Sequence, residues 1–249
     1  MPTIQLADPA AGALFTVPES NWTAISKRVG ITVLASAIAP IIGQTLLEFP
    51  KLETACQLWA NSTFPDLVSL SGDIGRFAGM AAASLAALQE PISKLNPGDA
   101  VPQSTADLVK STLATLAQQT MPLNTQSNAL VAQVQAFATE NQIVDAQVQN
   151  YVKHLGPRWQ SLTSDIPAVE TAAGLVEGAW KAISNDFNAI VTNSIPITIT
   201  LLLSLDLQSA VLAWKNLGPE AAAFAVMAKG QQQYLSGAWL TSSLARSRV

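Results

Sequence analysis

A single histidine, a single cysteine and 17 carboxylates are the residues of this 249-residue chain that could carry acid–base, nucleophilic or metal chemistry. Their spacing assembles none of it. His154 stands in the turn-forming run HLGPRW, with no second imidazole and no cysteine pair to share a metal ion. Cys56 has no partner for an intramolecular disulfide and reads as a small buried apolar residue. Glu48 with Glu53, or Asp145 with a neighbour, could meet in space, but nothing in their spacing marks an acid–base pair. HExxH, GxSxG and phosphate-loop motifs are absent. The run GDIGRFAG (Gly72 to Gly79) lies in a helical pattern with no strand before it, so it fails as a dinucleotide fingerprint. The expectation is a protein that is not an enzyme, with no catalytic, cofactor-binding or metal-binding residues.

What remains is the chemistry of apolar surface. From Ser194 to Leu205 the chain reads SIPITITLLLSL, with aliphatic side chains at Ile195, Ile197, Ile199, Leu201, Leu203 and Leu205, and Leu202 between them. Period two with Ile and Thr is a strand signal. Phe187–Thr192 followed by Asn193-Ser194 offers a second arm, so a β-hairpin is expected, with a buried helix through Leu201 to Leu212 as the competing reading. Left in water, the six aliphatic side chains would forgo roughly 10 kcal/mol or more. In a soluble form something must cover them. A second run, Gly30 to Leu47, has no charge and includes Ile31, Val33, Leu34, Ile38, Ile41 and Ile42. As a helix it would be roughly 27 Å long, close to the ~30 Å of a bilayer core.

Composition narrows the partners. Charged residues are 12% of the chain, about half the usual share of roughly 25%. A net charge of −4 with 13 scattered basic residues argues against nucleic acid, which needs clustered Lys and Arg. The start, MPTIQLADPAAGALF, shows no basic region followed by an apolar run, so the expected localisation is secretion or release by a non-classical route.

The elements that would position the apolar segments are helices. Residues 1–20, with three prolines, read as an extended N-terminal arm. A first helix is expected from Asn21 to about Glu48, interrupted near Pro40 and Gly43, and a second from Pro50 to Lys94 with a bend at Pro65. In the second, Gly75, Gly79 and Ala83 form a stripe of small residues suited to close helix packing. After the loop LNPGDAVPQS, Val109, Leu116, Leu123, Leu130, Phe137, Val144 and Tyr151 recur every seventh residue, while Thr120, Ser127 and Asn141 occupy companion positions. Such a helix would run about 75 Å and implies a rod-like bundle. Trp159, Leu162, Ile166, Val169, Ala173, Val176, Trp180, Ile183, Phe187 and Ile190 step by three or four, as do Leu207, Val211, Trp214, Leu217, Ala221, Phe224 and Ala228. Trp22 and Trp239, near the chain ends, suit interfacial anchoring.

The expected fold is therefore all-α: one elongated up-down bundle of about five helices spanning 1–249, with a hydrophobic tongue or short β-hairpin at 187–206 between the last two long helices. In that arrangement the start of the first helix, the loop at 95–104 and the apolar hairpin fall at one end, where the two apolar segments could act together.

Long helices interrupted late by an apolar segment, followed by LDLQSAVLAWKNLGPEA (Leu205 to Ala221) with its central Trp214, resemble the cytolysin A superfamily of α-helical pore-forming toxins. That superfamily includes the helical components of Bacillus haemolysin BL and non-haemolytic enterotoxin and multi-component insecticidal toxins. The likeness is architectural and covers residues 20 to 240, in a chain shorter than many members. It implies a soluble subunit that inserts Ile195, Ile197, Ile199, Leu201, Leu202, Leu203 and Leu205 into a target-cell membrane. The stretch from Ile31 to Ile42 is the second insertion candidate. It also implies homo- or hetero-oligomers on that membrane and a second toxin component, whether or not this subunit can insert alone. The competing expectation is a non-toxic helical scaffold or lipid-surface-binding protein.

Overall fold

A computed structural model of the chain describes residues 4–35, 39–155, 162, 164–192 and 194–236, with the side chains of 39–41 and 149–155 outside that description. The fold is all-α. Among the described residues there are a 3-10 segment (Pro9–Thr16), eight α-helices and no strand. The helices are α1 (Glu19–Leu34), α2 (Ala39–Thr45), α3 (Phe49–Leu58), α4 (Phe64–Ser93), α5 (Gln103–Leu155), α6 (Asp165–Val191), α7 (Ile199–Ser204) and α8 (Leu207–Leu235). A π-helical turn, Trp59–Thr63, joins α3 to α4. Pro65 follows in the first turn of α4, where its missing N–H would otherwise bond to a carbonyl one turn back, and a widened turn accommodates that loss.

The loop between α4 and α5 turns at Asn96-Pro97-Gly98-Asp99. The Asp99 N–H donates to the Asn96 carbonyl at 3.2 Å, and Gly98 holds φ +96. Proline second and a left-handed glycine third is the chemistry of a type II turn.

The residues on the period-seven row of α5 are buried from Val109 to Val144, and so are Thr120, Ser127 and Asn141. These three polar residues turn inward without needing a partner helix for their donors. The Thr120 hydroxyl donates to the Ala117 carbonyl at 2.8 Å, Ser127 to Asn124 at 3.0 Å, and the Asn141 amide to Phe137 at 2.9 Å. Bonding to the helix's own preceding turn is how short polar side chains survive inside a helix core.

The contacts divide the chain into two compact units. Unit 1 comprises Met1–Phe15, Leu70–Asn128 and Leu175–Ala223. Its centre is aromatic: Phe77 lies edge-on to Trp180 (5.2 Å between centroids) and to Trp214 (5.1 Å), and the two tryptophans stack at 5.8 Å. Unit 2 comprises Thr16–Ser69, Ala129–Gly174 and Phe224–Val249. There Trp22 packs edge-on to Phe64 (6.3 Å) and Phe224 (5.4 Å), and Trp59 covers Phe137 at 4.3 Å.

Several expectations are corrected. The β-hairpin is absent: Phe187–Val191 completes α6, and Ile199–Ser204 is the helix α7. The physical reason is local. Pro196 cannot donate to a ladder, and Thr198 caps α7, its hydroxyl accepting the Leu201 N–H at 3.1 Å. In the second apolar run α1 ends at Leu34 and α2 spans Ala39–Thr45, with residues 36–38 outside the described residues.

Nor is the N-terminal arm extended over 1–20. Residues 9–16 form a 3-10 helix and α1 begins at Glu19, because Leu6, Ala11 and Leu14 are apolar enough to bury. The Trp214 indole N–H donates to the Leu6 carbonyl at 2.9 Å, fixing the arm to α8. Trp22 is fully buried, so it is a core residue and no interfacial anchor. Trp239 lies outside the described residues.

Candidate functional site

The first apolar segment belongs to unit 1 and folds apart from the helices on either side of it. After α6 the chain reverses: the Thr192 N–H donates to the Asn188 carbonyl and the Ile195 N–H to Ala189, both at 2.9 Å. Residues 196–198 carry no regular structure, α7 makes less than two turns, and Asp206 then starts α8. The Asp206 carboxylate accepts the Ser209 N–H at 3.0 Å, and hydrogen bonds from the Ser209 hydroxyl and then its N–H hold the Asp206 pKa below the ordinary aspartate value.

Within the segment the alternation does not define one face. Leu202 is 0% exposed, Ile199 and Leu201 are 8%, Ile195, Ile197 and Leu205 are half-buried, and Leu203 is 43% exposed. A helix advances about 100° per residue, so a period-two pattern is scattered around it, and burial follows the Ile199–Leu202 side. Most of the cost of exposing the segment is thereby avoided.

The second segment belongs to unit 2. Ile31 and Leu34 are exposed at the end of α1, and Val33 and Ile42 are half-buried. Ile41 lies in α2 with its side chain outside the described residues, and Ile38 lies outside them altogether. The two candidates thus stand in different units. Among the described residues no helix is long and apolar enough to cross a membrane.

Behind the exposed side of α1 lies a feature that the sequence reading did not find. Arg28 Nη1 donates to Asp145 Oδ1 at 3.1 Å, and both side chains are nearly inaccessible, at 5% and 7%. Asp145 Oδ2 also accepts the Leu162 N–H at 3.3 Å, so one carboxylate ties α1, α5 and Leu162, three residues before α6. Asp145 was expected, if paired at all, to meet another carboxylate; it meets a guanidinium 117 residues away. Burial lowers the Arg28 pKa, and Asp145 opposes that shift. The available signal was an arginine and an aspartate at buried positions of apolar-periodic helices.

Cys56, on α3, is fully buried in the same unit, and desolvation pushes its thiol up to about 12. A thiol so far from ionising, and out of reach, does not react. We expect no modification of the folded protein by a maleimide at pH 7.5, and one equivalent in 8 M urea; labelling at comparable rates in both would contradict this environment. His154 lies in the last turn of α5 with its side chain outside the described residues.

A groove of about 850 Å³ lies between α3 with its π-helical turn and α5. The sequence reading missed it too.

The chain matches no known family model, no curated protein and no solved structure.

Proposed function

We propose that this protein is the soluble form of a pore-forming toxin subunit, one component of a two-component insecticidal or cytolytic toxin. It oligomerises on a target-cell membrane and inserts its apolar segments there. The observation that supports the reading most is Ile195–Leu205. An uncharged stretch stands between two long helices and forms a short helix of its own, with three side chains covered and Leu203 exposed. A six-residue helix is only about 9 Å long, so insertion would require residues 192–206 to leave their cover and extend α6 and α8 toward each other. Lipid would then replace the protein cover of the aliphatic side chains, and the oligomer would satisfy the polar ones.

A second reading, a non-toxic helical scaffold or lipid-surface-binding protein, draws on one observation: Leu202, Ile199 and Leu201 are buried as ordinary core residues are.

Dye release from phosphatidylcholine–phosphatidylserine vesicles separates the two. The measurement is run between pH 5 and pH 8, with and without the product of any adjacent toxin-like reading frame. The variant Leu203→Asp keeps the fold, since exposed substitutions change stability by only about 0.5 kcal/mol. It places a carboxylate where lipid insertion would cost about 2.5–3.5 kcal/mol per copy. The expected result is release by the wild type and loss of most of it in Leu203→Asp at an unchanged melting temperature. No release under any of these conditions would reject the toxin reading. Normal release by Leu203→Asp would reject the role of this segment.

A further inference from the structure

We infer that the groove between α3 and α5 is a binding site for a single-chain amphiphile with an ammonium head group. This site stands on the groove alone and does not depend on the toxin reading. Its volume of about 850 Å³ lies within the roughly 300–1,000 Å³ of small-molecule sites. Small side chains leave room in its lining: Ala132 and Ala136 of α5 and Ala55 of α3. Phe137 forms part of the wall and is itself backed by Trp59 at 4.3 Å. Leu58 also lines the groove and is 59% exposed. Such a lining takes an aliphatic chain.

The polar groups of the groove choose the head. Gln133 and Glu140 lie seven residues apart on α5 and both line the groove, so they are separated by roughly 10.5 Å along the helix axis. The Gln133 amide nitrogen donates to Asp66 at 3.1 Å; its Oε1 has no hydrogen-bond partner, and neither has Glu140 Oε2. Both are buried acceptors that lack a donor. The lining offers one cation, Lys51, and its ammonium is held by Glu48 at 2.6 Å. Lys51 is thus neutralised by Glu48, which is not itself in the lining, and Glu140 is left as the lining's remaining charge. A donor-bearing cation complements it; a carboxylate or phosphate does not.

Calorimetric titration of the intact protein with dodecylammonium below its micelle concentration tests the site, with dodecanoate as the control of opposite charge. Two variants accompany it. Ala136→Trp fills the groove from an exposed position of α5, and Glu140→Gln removes the charge while keeping the shape. Saturable binding of dodecylammonium is expected, weakened at least about tenfold in Ala136→Trp and several-fold in Glu140→Gln, with helical content unchanged. No saturable binding, equal binding by Ala136→Trp, or tighter binding of dodecanoate than of dodecylammonium would each overturn the proposal. Because no vesicle or pore enters this experiment, its failure is separate from a failure of dye release.

Discussion

Asp145→Ala is expected to lower the unfolding free energy by about 3–5 kcal/mol, because it removes one partner of a buried ion pair. Arg28 and Asp145 are 5% and 7% exposed, so water has little access to the pair, and the Leu162 N–H loses its acceptor as well. Domains of this kind have only about 5–15 kcal/mol in all; a single carboxylate therefore holds a large share. Replacing both members, Arg28→Met with Asp145→Leu, removes the charge and its need for a partner together, and the expected cost is small or absent. Urea denaturation followed by circular dichroism checks both variants. A loss under about 1 kcal/mol in Asp145→Ala, or an equally large loss in the double variant, would contradict the buried-pair account.

Trp180→Ala should cost about 3–5 kcal/mol, the range for emptying a buried aromatic site. Trp180 is fully buried and contacts both Phe77 and Trp214, and aromatic pairs of this geometry add about 0.5–1.5 kcal/mol beyond area burial. The effect belongs to unit 1, whereas that of Asp145→Ala belongs to unit 2. Amide hydrogen exchange distinguishes them: protection should fall first around 175–190 in Trp180→Ala and around 22–32 and 141–148 in Asp145→Ala. Identical uniform losses in both variants would show that the two cores report a single cooperative transition.

The helices were legible wherever one face is buried for many turns. Every described member of the row from Leu162 to Ile190 is buried, as is every member of the row from Leu207 to Ala228. The α5 row was equally plain, because a spacing of seven maintained over tens of residues has no other cheap geometric origin. The segment at 194–205 was harder. Six aliphatic residues at alternate positions match a strand, yet one proline without a donor and one threonine placed to cap were enough to turn the segment into a short helix. Local hydrogen bonds decided what periodicity could not.

Long-range features left still less trace. The Arg28–Asp145 pair spans 117 residues, and the α3–α5 groove arises from the absence of large side chains at Ala55, Ala132 and Ala136, which in the sequence look like ordinary helix formers. The arm was misread for a related reason. Its prolines suggest extension, but burial of Leu6 and Leu14 and the bond from Trp214 to Leu6 fold it onto unit 1.

The central claim is that Ile195–Leu205 leaves its cover and enters lipid. Leu203→Cys labelled with an environment-sensitive fluorophore measures this directly, since Leu203 is exposed and the buried Cys56 does not compete for the label. On adding vesicles, with the product of any adjacent toxin-like reading frame present, the account predicts a blue-shifted emission that is quenched by lipids brominated along their acyl chains. Emission that stays at its aqueous wavelength and is insensitive to brominated lipid, from pH 5 to pH 8, would contradict it.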